Sequence, residues 1–146
     1  MEQANETYRS DRLIMSRYAL VWSGMVFVAI FNGIMRGALY EQFLDSLSAH
    51  QLSSLTLVIM FAAVTWSANR RWPISSYQQA ALVGVMWFIL TPLFEFGFGM
   101  YVMGRPLSAL LADYNLLAGR TWSLVLVATA LLPPVVYYLS SRREQQ

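Results

Sequence analysis

The chain has 146 residues, of which 57% are hydrophobic and only 12% are charged, and its formal net charge is +2. Soluble domains carry about 25% charged residues, so this composition indicates a membrane protein and gives no reason to expect a nucleic-acid partner. The absence of cysteine excludes disulfides, thiolate metal sites and cysteine nucleophiles, and the single histidine, His50, excludes a bis-histidine haem within one chain.

Four segments are long and apolar enough to cross a bilayer, which needs about 20 residues. They are residues 18–40, 52–68, 78–102 and 121–139. Leucines recur at helical spacing between the third and fourth segments, which predicts a short amphipathic helix over residues 107–117 on the outer surface. The sequence therefore predicts an all-α fold, with residues 1–146 as one integral membrane domain. This domain is a four-helix transmembrane bundle with a short periplasmic interfacial helix, and its polar ends, residues 1–12 and 140–146, are expected to be mobile tails.

The placement of arginine predicts the orientation, because short cytoplasmic loops carry an excess of basic residues. One side of the predicted bundle holds Arg9, Arg12, Arg17, Arg70, Arg71, Arg142 and Arg143. The other side holds only Arg105 and Arg120, so both termini are expected to be cytoplasmic. Trp22, Trp66, Trp72 and Trp122 lie near predicted span ends, which is typical of interfacial belts. The first apolar block is too long for a signal peptide and lacks a cleavage site, so it is expected to be a retained anchor.

Arg36 and Glu95 carry opposite charges inside predicted spans, where an unpaired charge costs roughly 2.5–3.5 kcal/mol on insertion scales. Each lies 18 residues beyond a tyrosine at the cytoplasmic interface, Tyr18 and Tyr77 respectively, and therefore roughly 27 Å along its helix. Because the first and third spans run in the same direction, we expect the two charges to meet at a similar depth and to form an ion pair. The pair could fix helix register, or it could act as a gate or a substrate contact.

The residues near this pair predict a cavity that opens to the outer side. Its expected lining is Asn32, Tyr40, Thr91, Gly99 and Tyr101. Gly33 and Gly37 have the small-xxx-small spacing that permits two helices to approach closely.

A polar cluster is expected at the outer face, made of Glu41, Asp45, His50, Arg105, Asp113 and Arg120. The spacing of its acidic residues and His50 matches no standard metal-ligand pattern, so neither a metal nor a cofactor is predicted. Handling of protons by His50 with Glu95 is the better hypothesis. An Asp113–Arg120 ion pair could pin the interfacial helix, or the same segment could be a lid that carries Arg105 and Arg120 toward anionic groups.

Four stretches of the sequence carry a resemblance to known proteins: Ala49–Ser53, Phe94–Gly99, Tyr101–Gly104, and Asp113–Asn115 followed by Gly119 and Arg120. They resemble an uncharacterised group of small bacterial four-helix inner-membrane proteins, over roughly residues 20–140. The resemblance implies the bacterial cytoplasmic membrane as the location. It implies no catalytic or binding residues.

Three functions remain open at this point. The first is transport or permeation of a small solute or ion, with the Arg36–Glu95 pair as a charge gate. The second is a structural or accessory subunit of a larger membrane complex, in which the pair only fixes register. The third is a lipid-modifying membrane enzyme, which has the least support because the sequence contains no nucleophile–base set, so no catalytic residues are predicted. The expected partners are the lipid bilayer and either further copies of the chain or another membrane protein.

Overall fold

The computed structural model describes the backbone of residues 2–143 and the side chains of residues 11–142. Within that part of the chain there are five α-helices and no strand. The helices are α1 (Glu2–Ala38), α2 (Ser46–Arg71), α3 (Tyr77–Tyr101), α4 (Leu107–Ala112) and α5 (Trp122–Arg143). Four helical segments are long and apolar enough to cross a membrane: Asp11–Gln42, Ser46–Arg71, Tyr77–Tyr101 and Trp122–Arg142. The predicted all-α, four-helix fold is confirmed, and it indicates a multi-pass membrane protein.

Local hydrogen bonds set the helix boundaries. The side chain of Asp45 caps α2 by accepting from the Ser48 amide at 3.1 and 3.3 Å, and hydrogen bonds from Ser48 hold the pKa of Asp45 below its usual value. The hydroxyl of Ser76 caps α3 in the same way by accepting from the backbone amide of Gln79 at 3.1 Å. After α4, a 3₁₀ turn ends at Gly119, whose φ of 77° is a left-handed conformation that glycine adopts without strain.

The helices pack unevenly around the bundle. Helix α3 packs extensively on α5, α5 packs on α2 and α2 packs on α1, whereas α1 and α3 contact each other only lightly. The order around the bundle is therefore α1, α2, α5, α3, with a cleft between the first and the last. The tightest approach is between α3 and α5, where a Cβ at Gly84 would lie 2.1 Å from the carbonyl oxygen of Ala130.

A buried layer closes one end of the bundle, which we call the inner end because α1 begins there; the opposite end, beside α4, is the outer end. Tyr18 and Trp87 are both fully buried in this layer, with ring centroids 6.0 Å apart. The indole of Trp87 donates to the Tyr18 carbonyl at 3.0 Å, and the Tyr18 hydroxyl donates to the Trp72 carbonyl at 3.2 Å. Below this layer, the side-chain amide of Gln79 donates to the Asp11 carboxylate at 2.7 Å, so α1 and α3 are joined at the inner end.

Some boundaries differ from the predicted ones. The interfacial helix predicted over residues 107–117 divides into α4 and a separate 3₁₀ turn, Leu116–Ala118, because the side chain of Asn115 caps the Ala118 amide at 3.3 Å. Residues 2–12 continue α1 instead of forming a tail, since extending an existing helix adds a hydrogen bond per residue without a new nucleation step. Residues 140–143 likewise belong to α5, and the remaining predicted tail, residues 144–146, lies outside the described residues.

Candidate functional site

A cavity of about 250 Å³ occupies the cleft between α1 and α3, with α2 and α5 behind it. Helix α1 lines it from Trp22 to Arg36, and α3 lines it from Thr91 to Gly99. Fourteen residues of helix rise roughly 21 Å, so the cavity extends along much of the outer half of α1. Its position follows from the uneven packing, because it lies where the bundle is least tightly closed.

The lining of this cavity changes from apolar to charged along the helix axes. Its deep part, toward the inner end, is formed by Trp22, Met25, Leu57, Phe61, Val125 and Thr129. Its outer part includes Arg36, His50, Glu95, Arg105, Asp113 and Trp122. Such a lining suits a molecule with an apolar body and a polar end, because each part meets groups of its own kind.

The cavity ends above the buried layer at the inner end of the bundle. The indole of Trp22 donates to the Thr91 hydroxyl at 3.1 Å, which joins α1 to α3 at the base of the cavity. Tyr18 and Trp87 lie about one helical turn below these two residues, and neither of them lines the cavity. Among the described residues, the Tyr18–Trp87 layer therefore separates the cavity from the inner end of the bundle.

Glu95 projects from α3 toward α4 and the start of α5. Its Oε2 accepts hydrogen bonds from the Tyr114 hydroxyl and from the Trp122 indole, the latter at 2.5 Å. Its Oε1 has no hydrogen-bond partner among the described residues, so the carboxyl group retains accepting capacity in the cavity. Burial, helped by the hydrogen bond to Glu95, raises the pKa of the Tyr114 phenol above its usual range, which keeps the hydroxyl a donor.

Arg36 projects from the last turn of α1 toward α2. Its Nη1 lies 3.2 Å from His50 Nδ1, and its Nε lies 3.8 Å from a carboxylate oxygen of Glu41. The other ring nitrogen of His50, Nε2, lies 3.3 Å from the backbone amide of Thr121. The Arg36 guanidinium and the Thr121 amide, which contact the two ring nitrogens, can only donate hydrogen bonds. A neutral imidazole accepts at one nitrogen only. His50 therefore cannot satisfy both of them, and Arg36 keeps donors that strong acceptors do not occupy.

The predicted ion pair between Arg36 and Glu95 is wrong. Within the described part of the chain no salt bridge joins them, although both line the cavity. The expected matched depth is also wrong, because Trp22 contacts Thr91, and Glu95 lies four residues beyond this contact whereas Arg36 lies fourteen residues beyond it. At 1.5 Å per residue, Arg36 is roughly 15 Å farther along the cleft than Glu95. Arg36 turns toward α2, on which α1 packs, whereas Glu95 turns toward Tyr114 and Trp122.

The predicted outer polar cluster divides into separate groups. Asp113 accepts from Arg105 at 2.9 Å and lies 3.6 Å from Arg120, so the expected Asp113–Arg120 contact forms as part of a three-residue network. Arg105 and Asp113 line the cavity, whereas Arg120 does not. The other members are apart from this network, because Glu41 lies beside Arg36, Asp45 caps α2, and His50 contacts Arg36 and Thr121.

Asn32, Thr91 and Gly99, which the sequence assigns to the cavity, line it, but Asn32 is fully engaged with α2. Its amide donates to the Ser53 carbonyl at 2.9 Å and hydroxyl at 2.7 Å, and its oxygen accepts from Thr56 at 3.0 Å. Asn32 is 4% exposed, so these bonds satisfy a buried amide and join α1 to α2.

The two predicted tyrosines are not part of the lining. Tyr101, at the last residue of α3, is 88% exposed, and Tyr40 lies in a 3₁₀ turn after α1 has ended. Gly33 also differs from expectation, because a Cβ there would meet nothing within 4 Å and the residue lines open space instead of a close helix contact.

Several residues that shape the site are absent from the set predicted to line it. Trp22 and Trp122 were assigned to interfacial belts, yet both line the cavity and donate hydrogen bonds to α3, to Thr91 and Glu95 respectively. Tyr114 stacks on Phe96 with ring centroids 5.8 Å apart and donates to Glu95. The sequence contains one signal that could have indicated them. A buried carboxylate such as Glu95 needs hydrogen-bond donors, and tryptophan indoles and tyrosine phenols are donors that tolerate apolar surroundings.

No group of three His, Cys, Asp or Glu residues that could hold a metal ion occurs among the described residues. No family model, curated protein or solved structure matches this chain. The resemblance to small bacterial inner-membrane proteins therefore stays a prediction, and the chemistry of the cavity itself has to indicate the function.

Proposed function

We propose that this chain is a small transport protein that binds a solute in the cavity between α1 and α3, in a bacterial cytoplasmic membrane with both termini cytoplasmic. The observation that supports this most is a cavity with an apolar base and a charged outer part, which a buried layer separates from the inner end of the bundle. A solute would bury its apolar body against residues such as Met25 and Phe61 and place its polar end near Arg36 and Glu95. The apolar contact supplies affinity, and the charged groups supply selectivity.

Transport through this site requires a conformational change, because the Tyr18–Trp87 layer closes the inner end. Of the helix pairs that are adjacent around the bundle, α1 and α3 contact each other least, and these two helices flank the cavity. We propose that they separate at the inner end while the Arg36 and Glu95 walls approach each other. The cavity would then be one state of an alternating-access cycle, in which the solute site stays in place and the open end changes.

The competing functions have less support from the geometry. A pair that only fixes helix register would be in direct contact, whereas Arg36 and Glu95 each retain unused hydrogen-bonding capacity toward a common cavity. A lipid-modifying enzyme would need a nucleophile beside a base, and Ser53, a hydroxyl in the lining, instead bonds Asn32. The missing contact between Arg36 and Glu95 argues against a role in helix register alone, and the hydrogen bond between Ser53 and Asn32 argues against catalysis.

The proposal is tested by filling the cavity from Gly33. A Cβ at this position would meet nothing within 4 Å and residue 33 belongs to the lining, so we expect the indole of Gly33→Trp to enter the cavity and occupy the solute's space. Gly24→Trp is the matched control, because residue 24 is an exposed glycine of the same helix that also meets nothing within 4 Å and does not line the cavity.

The assay measures uptake of radiolabelled apolar amino acids, carboxylates and amines into liposomes that contain the purified protein. Uptake above that of empty liposomes should be lost in Gly33→Trp and retained in Gly24→Trp. Equal uptake by the two variants, or no uptake above empty liposomes for any of these solutes, would contradict the proposed transport function.

A further inference from the structure

The carboxylate of Glu95 faces an apolar part of α1 across the cavity. Trp22 of α1 bonds Thr91 of α3, and Glu95 lies four residues beyond Thr91, which places it level with Val26. The lining residues of α1 around this level are all apolar: Met25, Val26 and Ala29. Within the described lining, α1 therefore places no charged or hydrogen-bonding side chain opposite this carboxylate.

The arginines of the lining do not neutralise Glu95. Arg105 lies 2.9 Å from a carboxylate oxygen of Asp113. Arg36 lies roughly 15 Å farther along the cleft than Glu95, and its Nε is 3.8 Å from a carboxylate oxygen of Glu41. A carboxylate without a compensating cation is costly in apolar surroundings, so a cation bound beside Glu95 would offset that cost.

One oxygen of Glu95 is available to a ligand. Tyr114 and Trp122 both donate to Oε2, and Oε1 has no hydrogen-bond partner among the described residues. In the described part of the chain, no side-chain nitrogen or oxygen atom is both fully buried and unpaired, so Oε1 is accessible from the cavity that Glu95 lines. A donor that enters the cavity can therefore complete the hydrogen bonding of this carboxylate.

An aromatic wall, formed by the lining residues Trp22, Phe94 and Phe98, lies beside Glu95. The rings of Trp22 and Phe94 meet edge to face with centroids 6.2 Å apart, and Phe94 stacks on Phe98 with centroids 5.2 Å apart. All three residues lie within about one helical turn of Glu95 along the cleft. Aromatic rings attract ammonium groups through their faces and pack against apolar groups, so this wall suits both parts of an amphipathic amine.

We infer that the cavity binds a protonated amine with an apolar body, whose ammonium group donates to Oε1 of Glu95. This inference rests on the proposed function and assigns the substrate class of the same site. The apolar body would pack against the aromatic wall and against Met25 and Phe61 in the deep part of the cavity. The ammonium group would supply both the donor and the positive charge that the carboxylate lacks.

Other ligands suit this level of the cavity less well. An inorganic cation needs several oxygen ligands, and the threonine hydroxyls of the lining are already engaged. Thr91 accepts from Trp22 at 3.1 Å, and Thr129 donates to a carbonyl oxygen of its own helix at 2.8 Å. An anion would be repelled by Glu95, and a neutral alcohol would supply the donor without the charge.

The first test compares three probes that share a phenyl group on a short chain: phenethylamine, a cation, phenethyl alcohol, which is neutral, and phenylacetate, an anion. Small probes are needed because the cavity volume of about 250 Å³ lies just below the roughly 300–1,000 Å³ typical of ligand pockets. Binding is measured by titration calorimetry on the full chain in a nonionic maltoside detergent, and the heat of titration into protein-free detergent is subtracted. Phenethylamine should bind at least tenfold more tightly than phenethyl alcohol, and phenylacetate should bind most weakly.

The second test removes the charge of the carboxylate and keeps its shape. Glu95→Gln should reduce phenethylamine to the affinity of phenethyl alcohol, and the affinity of the alcohol should not change. Binding of the alcohol also shows that this variant is folded. Glu41→Gln is the matched control, because Glu41 is an exposed acid that does not line the cavity, and this variant should keep the tenfold preference for the amine.

The third test uses the wild type and so does not depend on the folding of a variant. An aryl azide derivative of phenethylamine is photolysed with the protein, and labelled peptides are identified by mass spectrometry. Label should appear on α1 between Trp22 and Ala29 and on α3 between Thr91 and Gly99, and excess phenethylamine should prevent it whereas excess phenylacetate should not. Label confined to residues outside the cavity lining would overturn the inference.

The calorimetric tests can also overturn the inferred ligand class. It is wrong if no probe binds, if the amine and the alcohol bind equally, or if Glu95→Gln and Glu41→Gln affect the preference for the amine to the same extent. Uptake of a carboxylate that Gly33→Trp abolishes and Gly24→Trp retains would then leave the proposed transport function intact. Conversely, binding of phenethylamine that depends on Glu95, without uptake of any solute, would contradict transport and support the ligand class.

Discussion

Replacing Gly84 with alanine should separate α3 from α5 and destabilise the protein. A Cβ at residue 84 would lie 2.1 Å from the carbonyl oxygen of Ala130, whereas ordinary contact begins at 3.4 Å. The obstacle is helix backbone, which cannot move aside as a flexible side chain can. The two helices must therefore part locally by about 1.3 Å, and this kind of overpacking typically costs about 1–3 kcal/mol.

Gly24→Ala is the matched control for this substitution. Residue 24 also lies inside a helix, but a Cβ there meets nothing within 4 Å. Alanine is favoured over glycine in a helix interior by up to about 1 kcal/mol, so this variant should be as stable as the wild type or slightly more stable. Alanine's helix preference applies to both variants, so they should differ by the overpacking cost alone, about 1–3 kcal/mol in unfolding free energy.

The measurement is unfolding of both variants in the same detergent, by heat and by increasing sodium dodecyl sulfate, with tryptophan fluorescence as the signal. Trp87 lies one turn above Gly84 and is fully buried, so its emission should shift to longer wavelength as α3 and α5 part. If the variants unfold within about 0.5 kcal/mol of each other, the α3–α5 contact described above is not the one that holds the bundle together.

Three further predictions concern single contacts. Asn32→Leu should lower the unfolding free energy by about 1–3 kcal/mol, because it leaves buried groups of α2 without their partner, and unchanged stability in detergent titrations would contradict those bonds. Tyr114→Phe removes only the hydroxyl that donates to Glu95 and should cost about 1–2 kcal/mol in thermal unfolding; an unaltered melting temperature would show that this bond contributes nothing. Asp45→Ala should lower the protection factor of the Ser48 amide, which is its exchange rate relative to the intrinsic rate at the same pH. The wild type should lose the same protection at acid pH, because folding lowers the pKa of Asp45, so the cap stabilises α2 above the unfolded pKa and is lost as the pH falls through the lower folded pKa. A protection factor that is the same at neutral and acid pH would contradict this.

The fold could be predicted because it depends on features that the sequence displays directly. Four apolar blocks of spanning length give four long helices whatever their detailed contacts are. Helix ends were less predictable, since they depend on capping bonds. Helix α2 begins at Ser46, well before the predicted residue 52, because Asp45 caps it there, and Asn115 ends the helical segment that leucine spacing extended to residue 117.

The site could be predicted only in part, for a geometric reason. Sequence spacing places Arg36 and Glu95 at equal distances along their predicted spans, but the contacts of Trp22 with Thr91 and of Trp87 with Tyr18 shift α1 relative to α3. The two charges therefore line different levels of one cavity. Which neighbour each side chain reaches depends on the packing order of the helices, and the sequence does not contain that order in readable form. His50, Tyr114 and Trp122, which bond these two charges, come from segments far from them along the chain.

The length of α1 has a mechanical consequence. Its 37 residues extend roughly 55 Å, whereas the hydrocarbon core of a bilayer is about 30 Å thick, so the helix forms a rod that projects beyond the lipid. The segment from Tyr18 to Glu2 alone measures roughly 24 Å. A 10° tilt pivoting at Tyr18 would swing the backbone at Glu2 sideways by about 4 Å, so this lever would transmit a rearrangement at the cleft to the far end of α1 as a displacement that paired spin labels resolve.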